Sequence, residues 1–181
     1  MNIINGYLTQ QKLQNLLQNE PALNYINKEV PLEGSRLKFD FLVERNSDKQ
    51  KIAIEFNGYA HYTDPDTILR DFKKREYAKK NNLILVEIPY WVQINEETFK
   101  HYFQINPLNH IKCDYFHGFI DKKAKLPSCF CSLGIERFII EFLLLPVSVK
   151  LEIQKSLKDQ VTISNKDPRA VYFQKFEDLI N

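Results

Sequence analysis

Two acidic residues, Asp40 and Glu55, lie in neighbouring segments whose apolar and polar residues alternate with period two, 36–44 and 51–57. Such alternation is typical of strands, and the turn-forming residues between the segments predict a hairpin. A symmetric turn centred on residues 47–48 pairs positions whose numbers add up to 95, which places Asp40 directly opposite Glu55. Their Cβ atoms would then lie about 5 Å apart, where two like charges destabilise a hairpin unless a cation lies between them. We therefore expect Mg²⁺, which prefers carboxylate oxygens.

This expected metal site suits the hydrolysis of phosphodiesters. A metal ion lowers the pKa of a bound water and stabilises the charge that develops on the phosphate. His61 follows Glu55 by six residues and is a candidate for activating that water. Asn57 lies on the same face of the strand as Glu55, whereas the opposite face is apolar and is expected to pack on the core.

The segment 70–80 supplies positive charge close to these acids. It contains six cations and two acids. On a helix, Arg70, Lys74 and Tyr77 fall on one stripe that suits contacts with phosphates. The segment therefore predicts a nucleic-acid-binding surface.

Each of these features also has an ordinary structural explanation. A Glu-x-Asn pattern on a strand is commonly solvent-facing, and a bulge would shift the hairpin register. A Lys-rich helix is commonly a solvated face, and Asp71 and Arg75 have the spacing of a surface ion pair. The convergence of the features within residues 36–90 favours a functional site.

Three runs of the sequence resemble the PD-(D/E)xK nuclease superfamily: RLKFDF, IAIEFNGYAHY and RDFKKREYAKKNNLILVEIPYW. In particular, they are similar to phage- and mobile-element (homing-type) endonucleases related to the very-short-patch repair enzyme. The resemblance implies Mg²⁺ as the cofactor, for which Mn²⁺ can substitute, with Asp40 and Glu55 as its ligands. It implies these active-site residues: Asp40, Glu55, Asn57, His61, Asp71 and Lys74.

Two departures from the superfamily pattern leave roles open. Asn57 occupies the position where the superfamily normally has Lys, so the general base is unassigned, and both His61 and Lys74 are candidates. Asp71 either orients Lys74 or joins the metal site. Some relatives also use an acid from the N-terminal region, for which this chain has three candidates: Glu20, Glu29 and Glu33.

The elements that position these residues follow from periodicity and capping signals. The order strand, strand, helix, strand predicts an α/β fold with a mixed central β-sheet flanked by helices, which the resemblance makes a restriction-endonuclease-like core. We expect this core with an N-terminal helix at 1–105, and at 106–181 a mainly helical C-terminal extension, irregular and then helical, that contacts DNA or mediates dimerisation. The predicted strands are 36–44, 51–57 and 83–88, and the stretch between Pro21 and Pro31 is predicted to be irregular. Three of the predicted helices have a cap: 7–19 with Thr9, 64–80 with Asp64 and 96–104 with Asn95. Further helices are predicted at 134–145, 147–158 and 168–180.

The C-terminal region holds two further groups of candidate residues. The possible zinc ligands are His110, Cys113, His117, Cys129 and Cys131. Their spacing does not match a structural zinc pattern, and the Cys-Phe-Cys run favours a short strand. A lysine cluster is a candidate for contacts with the DNA backbone, with a solvated loop as the alternative; it comprises Lys122, Lys123 and Lys125.

The composition excludes some classes of protein. Lys and Arg number 25 against 23 Asp and Glu, for a net charge of +2, which excludes a histone-like or strongly acidic chain. A local basic site on a near-neutral chain is still compatible with nucleic-acid binding. An odd number of cysteines, no secretory signal and no bilayer-length apolar run predict a cytoplasmic protein without a membrane partner.

Together these observations predict a Mg²⁺-dependent endonuclease that acts on double-stranded DNA. Cutting both strands usually needs two sites, so we expect a homodimer, with a nicking monomer as the alternative. The predicted nucleic-acid-binding residues are Arg70, Lys73, Lys74, Tyr77, Lys122 and Lys123. The other functions considered are a restriction or repair nicking enzyme of the same superfamily, a degenerate nuclease fold that binds nucleic acid without cutting, which Asn57 favours, and an interaction protein with an ordinary α/β core.

Overall fold

The computed structural model describes residues 2–119 and 127–164. The strands in this part of the chain are β1 (Asn2–Ile4), β2 (Leu23–Pro31), β3 (Lys38–Arg45), β4 (Lys51–Asn57), β5 (Ile84–Pro89) and β6 (Ile111–Cys113). The helices are α1 (Gln10–Asn19), α2 (Ala60–Thr63), α3 (Pro65–Lys80), α4 (Glu96–Phe103), α5 (Ser132–Leu144) and α6 (Val147–Ser164).

A mixed four-stranded sheet in the order β2–β3–β4–β5 forms the centre of the fold. β2, β3 and β4 are antiparallel neighbours, and β5 runs parallel to β4. Helices flank this sheet, and the C-terminal region is helical, so the predicted fold class is confirmed.

β3 and β4 form the predicted hairpin in the predicted register. The ladder ends at the pair Phe41–Ile54, whose numbers add up to the constant expected for a symmetric turn. Asp40 and Glu55 lie one step beyond this last pair. The hairpin therefore brings both acids to the same end of the sheet.

The two faces of β4 pack against different helices. Ile52 and Ile54 belong to a core cluster that includes residues of α1 and α4, as expected for the apolar face. Ala53, on the other face, packs with Ala78 of α3. Because side chains alternate along a strand, Glu55 shares the α3-facing side with Ala53.

α3 connects β4 to its parallel neighbour β5 and begins at the predicted cap. The side chain of Asp64 accepts a hydrogen bond from the backbone N–H of Asp66, and Pro65 occupies the first helical position, where its missing N–H costs nothing. The helix ends at Lys80, as predicted. The β4–α3–β5 unit thus holds α3 against the ends of the strands that carry the acids.

The predicted caps of α1 and α4 are also confirmed. Thr9 accepts a hydrogen bond from the backbone N–H of Lys12. Asn95 and Thr98 form a reciprocal capping box at the start of α4. These local signals therefore locate both helix starts correctly.

α5 docks on α2 through a close backbone approach at Gly134. The carbonyl oxygen of Tyr62 accepts a hydrogen bond from the backbone N–H of Cys131 at 3.0 Å. A Cβ atom on Gly134 would lie 1.7 Å from that same carbonyl oxygen. Around this contact, Tyr62, Trp91 and Phe138 are buried in one aromatic cluster. The C-terminal region also meets the N-terminus, where β1 pairs in parallel with β6.

Three expectations about secondary structure are wrong. The stretch between Pro21 and Pro31 is not irregular, because it contains edge strand β2, whose mostly exposed residues and register shift near Tyr25 hide the usual alternation. The part of the C-terminal extension that was expected to be irregular contains the short strand β6. The Cys-Phe-Cys run is not a strand: Cys129 ends a short 3₁₀ turn and Cys131 is the N-cap of α5.

Some predictions lie outside the described residues. These are the helix at 168–180 and the lysine cluster of Lys122, Lys123 and Lys125. Within residues 2–119 and 127–164, no helix combines the length and the apolar content needed to cross a bilayer.

Candidate active site

Asp40 and Glu55 lie at the same end of the β3–β4 hairpin, one step beyond its last pair. The carboxylate of Asp40 accepts a hydrogen bond from the backbone N–H of Phe56 at 2.7 Å, which fixes it against β4. Burial raises the pKa of Asp40, although this hydrogen bond and the positive charge of Lys74 oppose the shift. The negative charge of Asp40 in turn helps to raise the pKa of Glu55. The two acids therefore interact, as the hairpin register predicts.

Glu55 is a buried carboxylate with one oxygen paired and the other without a donor. Its side chain is 3% exposed. Oε2 accepts from the ammonium group of Lys74 at 2.7 Å, whereas Oε1 is buried and has no hydrogen-bond donor among the described residues. Burial raises the pKa of Glu55 to about 8 even though Lys74 lowers it. An uncompensated carboxylate oxygen of this kind is a position where a cation stabilises the site.

Asn57 adds a second oxygen of the same kind. It is fully buried, and its Oδ1 has no hydrogen-bond donor within the described ranges. Its side-chain nitrogen approaches the carboxylate of Glu87 at 3.4 Å. Asn57 and Glu55 are two residues apart on β4 and so share one face of the strand.

The set of donors fits a hard cation that keeps several waters. Asp40, Glu55 and Asn57 offer only oxygen atoms, which Mg²⁺ prefers over nitrogen and sulfur. Among the described residues, no group of three or more His, Cys, Asp and Glu side chains is placed to hold a metal. A metal held here would therefore have two carboxylate ligands from the chain and would need water in its remaining positions, as Mg²⁺ commonly does.

His61 and Asp71 form a hydrogen-bonded pair beside the two acids. Nδ1 of His61 lies 2.7 Å from Oδ2 of Asp71. Burial opposes ionisation of Asp71, but the hydrogen bond from His61 and the charge of Arg137 outweigh it and lower the pKa of Asp71. Because an ionised carboxylate only accepts hydrogen bonds, Nδ1 is the ring nitrogen that carries the proton. Nε2 is thus left as the nitrogen that can accept a proton.

The predicted link between Asp71 and Lys74 is wrong. Lys74 pairs with Glu55 at 2.7 Å, and Asp71 pairs with His61 and Arg137. The alternative interpretation of Asp71 and Arg75 as a surface ion pair also fails, because Arg75 pairs with Glu87 of β5.

A basic cleft adjoins this group. It has a volume of about 360 Å³ and lies between the start of β3 and α3. His61 and Asp71 line it together with four cations: Arg36, Lys38, Arg70 and Lys74. Of these cations, sequence reasoning missed Arg36 and Lys38, which lie close to α3 only in the folded chain. The excess of positive charge suits a polyanion.

The other predicted DNA-binding residues that the structure describes lie on α3. Lys73 is exposed. Arg70 donates to the hydroxyl of Thr67 at 2.7 Å. Tyr77 packs its ring near Phe39, and its hydroxyl accepts a hydrogen bond from a backbone N–H at 3.2 Å.

The three N-terminal acids lie in other surroundings. The buried carboxylate of Glu20 accepts hydrogen bonds from the backbone N–H groups of Leu108 and Asn109, so it links chain segments. Glu29 is exposed and pairs with Lys38. Glu33 is exposed. None of these three side chains shares a hydrogen bond with Asp40 or Glu55 in the described part of the chain.

The possible zinc ligands have other contacts. The ring of His110 pairs with Glu96. Nδ1 of His117 accepts a hydrogen bond from the backbone N–H of Phe119 at 3.1 Å. Cys113, Cys129 and Cys131 form no disulfide with one another.

Sequence reasoning missed three charged residues of the site: Glu87, Arg137 and Glu141. Arg137 pairs with Asp71, Glu87 and Glu141 at distances of 2.5, 2.8 and 2.7 Å. A signal was present, because the three lie in mostly apolar runs, 83–88 and 134–145, and charged residues are rarely buried without a partner. That signal predicts buried pairing but does not identify the partners.

A larger groove lies along the free edge of β5, away from the acids. It has a volume of about 620 Å³, and its walls include Phe72, Ile84 and Ile140. Asp40, Glu55 and His61 do not line it. We therefore assign the candidate active site to the acids together with the smaller basic cleft, which is lined by His61, Asp71 and Lys74.

Comparisons of this chain with protein-family models, with curated proteins and with solved structures find no match.

The raised pKa of Glu55 predicts that the metal-free protein loses stability as the pH rises. In the folded chain this pKa is about 8, against an ordinary value of 4.5. Between these pH values folded Glu55 holds a proton that the unfolded chain has released, so the free energy of unfolding falls as the pH increases. Urea unfolding in EDTA at several pH values from 5 to 8 measures this slope.

Glu55→Gln should remove that part of the slope. Glu44→Gln is the matched control, because Glu44 forms a partly exposed pair with Lys49 at the other end of the hairpin. It should keep the wild-type slope. An unchanged slope in Glu55→Gln would contradict the assignment of the titrating group.

Proposed function

We propose that this protein is a metal-dependent endonuclease that hydrolyses phosphodiester bonds in double-stranded DNA. The observation that carries the proposal is the buried Oε1 of Glu55, which has no donor among the described residues and belongs to a carboxylate next to Asp40. Two carboxylates at one strand end, beside a basic cleft, are the groups that this reaction needs. The resemblance to PD-(D/E)xK nucleases supports the same activity.

In the proposed reaction, Asp40 and Glu55 would hold Mg²⁺, which would lower the pKa of a bound water and stabilise charge on the phosphate. Nε2 of His61 accepts the proton of the attacking water, because Asp71 holds Nδ1 in the protonated form. Lys74 donates a hydrogen bond to Glu55 in the metal-free protein and would be free to face the phosphate if a metal took its place. The other cations of the cleft bind the neighbouring phosphates of the backbone.

A homodimer is part of the proposal. One such site cuts one strand, so cleavage of both strands needs two copies of the chain. A monomer would instead leave nicked circles.

Two features of the site favour a second candidate function, a nuclease fold that binds DNA without cutting it. Lys74 already satisfies one oxygen of Glu55 at 2.7 Å, and Asn57 replaces the Lys of the superfamily pattern. In such a DNA-binding protein, Lys74 paired with Glu55 would occupy the position of the metal.

Incubation of supercoiled plasmid with the purified protein tests the two functions. The endonuclease should convert the plasmid to open-circular or linear DNA in Mg²⁺ or Mn²⁺, and EDTA should stop the reaction. Salt-sensitive DNA binding without any cleavage would contradict the endonuclease and support the binding protein.

A further inference from the structure

Arg137 lies in α5, in the C-terminal region, and yet its side chain donates hydrogen bonds to several groups beside the candidate active site. It is 6% exposed. Its guanidinium group donates to carboxylates from three different elements: Asp71 of α3 at 2.5 Å, Glu87 of β5 at 2.8 Å and Glu141 of α5 at 2.7 Å. It therefore joins α5 to α3 and β5, which both follow the predicted catalytic strand β4 in the sequence.

The surroundings of Arg137 hold the guanidinium group in one orientation. Glu141 lies one turn further along α5 and also accepts from the hydroxyl of Tyr62 at 2.5 Å. The ring of Tyr62 lies against the guanidinium group, 5.2 Å from its central carbon. The absence of a side chain at Gly134 lets α5 approach the backbone of α2 closely enough for these contacts. A planar group with its donors used on several sides has little freedom to rotate.

Arg137 contacts both members of the His61–Asp71 pair. Oδ2 of Asp71 accepts from Nη1 of Arg137 at 2.5 Å and from the ring of His61 at 2.7 Å. Nη1 also lies 3.3 Å from the backbone carbonyl oxygen of His61. The same guanidinium group thus fixes the acid that orients the imidazole and the backbone that carries it.

We propose that Arg137 is a positioning residue for His61, supplied to the site by the C-terminal region. It holds the carboxylate of Asp71 where it accepts the Nδ1–H of His61, so that the ring keeps one tautomer and one orientation at the wall of the basic cleft. The catalytic consequence of this positioning rests on the proposed function, whereas the positioning itself does not. Besides Arg137, the charged groups that interact with this pair from the neighbouring elements are Asp40 of β3 and Glu55 of β4.

The variants Arg137→Met and Arg137→Lys test this role, with Arg75→Met as the matched control. Arg75 donates to the same Glu87 at 2.6 and 3.1 Å, but from α3, and among the described residues it forms no hydrogen bond or ion pair with Asp71 or His61. ¹⁵N NMR spectra of the His61 ring report its tautomer and the protection of the Nδ1 proton. Plasmid nicking measured against substrate concentration separates kcat from KM.

In Arg137→Met we expect the protected Nδ1 proton of His61 to disappear and kcat to fall by about 10- to 100-fold, with KM nearly unchanged. Arg137→Lys should recover part of the protected Nδ1 signal and part of kcat, because Lys keeps the positive charge but lacks the several N–H donors of the planar guanidinium group. Arg75→Met should keep the wild-type His61 signal. If Arg137→Met does not fold, Arg137→Lys decides the question through the same two measurements.

An unchanged His61 signal in folded Arg137 variants would overturn the proposal, whatever happens to stability. Equal losses of kcat in the Arg137 and Arg75 variants with an unchanged ring would also overturn it, because they would indicate a purely structural role. If wild-type protein cuts no DNA, the proposed function fails, and the NMR comparison still decides the positioning role.

Discussion

Glu55→Gln should abolish metal-dependent nicking, with a fall in kcat of about 10³-fold or more. Gln has nearly the same shape as Glu but lacks the negative charge that a divalent cation requires. The variant therefore leaves the outline of the site intact and removes one of two anionic ligands. Plasmid nicking under single-turnover conditions, at saturating protein and Mg²⁺, measures the loss directly.

The same variant should fold as well as wild-type protein or better. Burial of the Glu55 carboxylate is unfavourable, which is why its pKa is raised to about 8, and a neutral amide avoids that cost. The loss of the pair with Lys74 acts in the opposite direction. Activity and stability should therefore separate, which a nonspecifically damaged protein would not show.

Glu44→Gln serves as the control for this result, since its pair with Lys49 lies at the far end of the hairpin. It should nick plasmid at the wild-type rate. Nicking that survives in Glu55→Gln would contradict the assignment of Glu55 as a metal ligand.

Gly134→Ala should destabilise the protein by about 3 kcal/mol or more, the upper part of the range for added volume at a packed site. The new Cβ would lie 1.7 Å from the carbonyl oxygen of Tyr62 and 2.5 Å from its carbonyl carbon. Both atoms belong to the backbone, so α5 would have to move away from α2. That movement would also weaken the pairing of Arg137 with Asp71, and the better helix propensity of Ala recovers only about 1 kcal/mol.

Gly58→Ala is the matched control for the stability measurement. A Cβ atom at Gly58 would meet nothing within 4 Å, so its free energy of unfolding should change by less than about 1 kcal/mol. Urea unfolding of the two variants gives the comparison. Equal stability of Gly134→Ala and Gly58→Ala would show that α5 does not dock on α2 as described.

The parts of the site that local sequence rules govern could be predicted. The turn after β3 fixes the hairpin register, and the register in turn places Asp40 next to Glu55. The capping residue Asp64 and the following Pro65 set the start of α3. In each case the residues that decide the structure are close together in the chain.

The parts that depend on distant packing could not be predicted. Arg137 lies 66 residues from Asp71 in the sequence, and its helical spacing indicates only its partner Glu141. Arg36 and Lys38 join the cleft because β3 and α3 lie close together. Edge strand β2 could not be predicted because its residues are mostly exposed. Burial therefore imposes no clear alternation of apolar and polar residues on its sequence.

The most direct test of the central claim is a crystal structure of the protein soaked in Mn²⁺, with anomalous diffraction data to locate the ion. We expect an anomalous peak between the carboxylates of Asp40 and Glu55, at about 2.1 Å from their oxygen atoms, the usual ligand distance of such cations. Lys74 should then have moved away from Glu55. The absence of a peak there at saturating Mn²⁺, with Lys74 still paired to Glu55, would contradict the assignment of Asp40 and Glu55 as metal ligands.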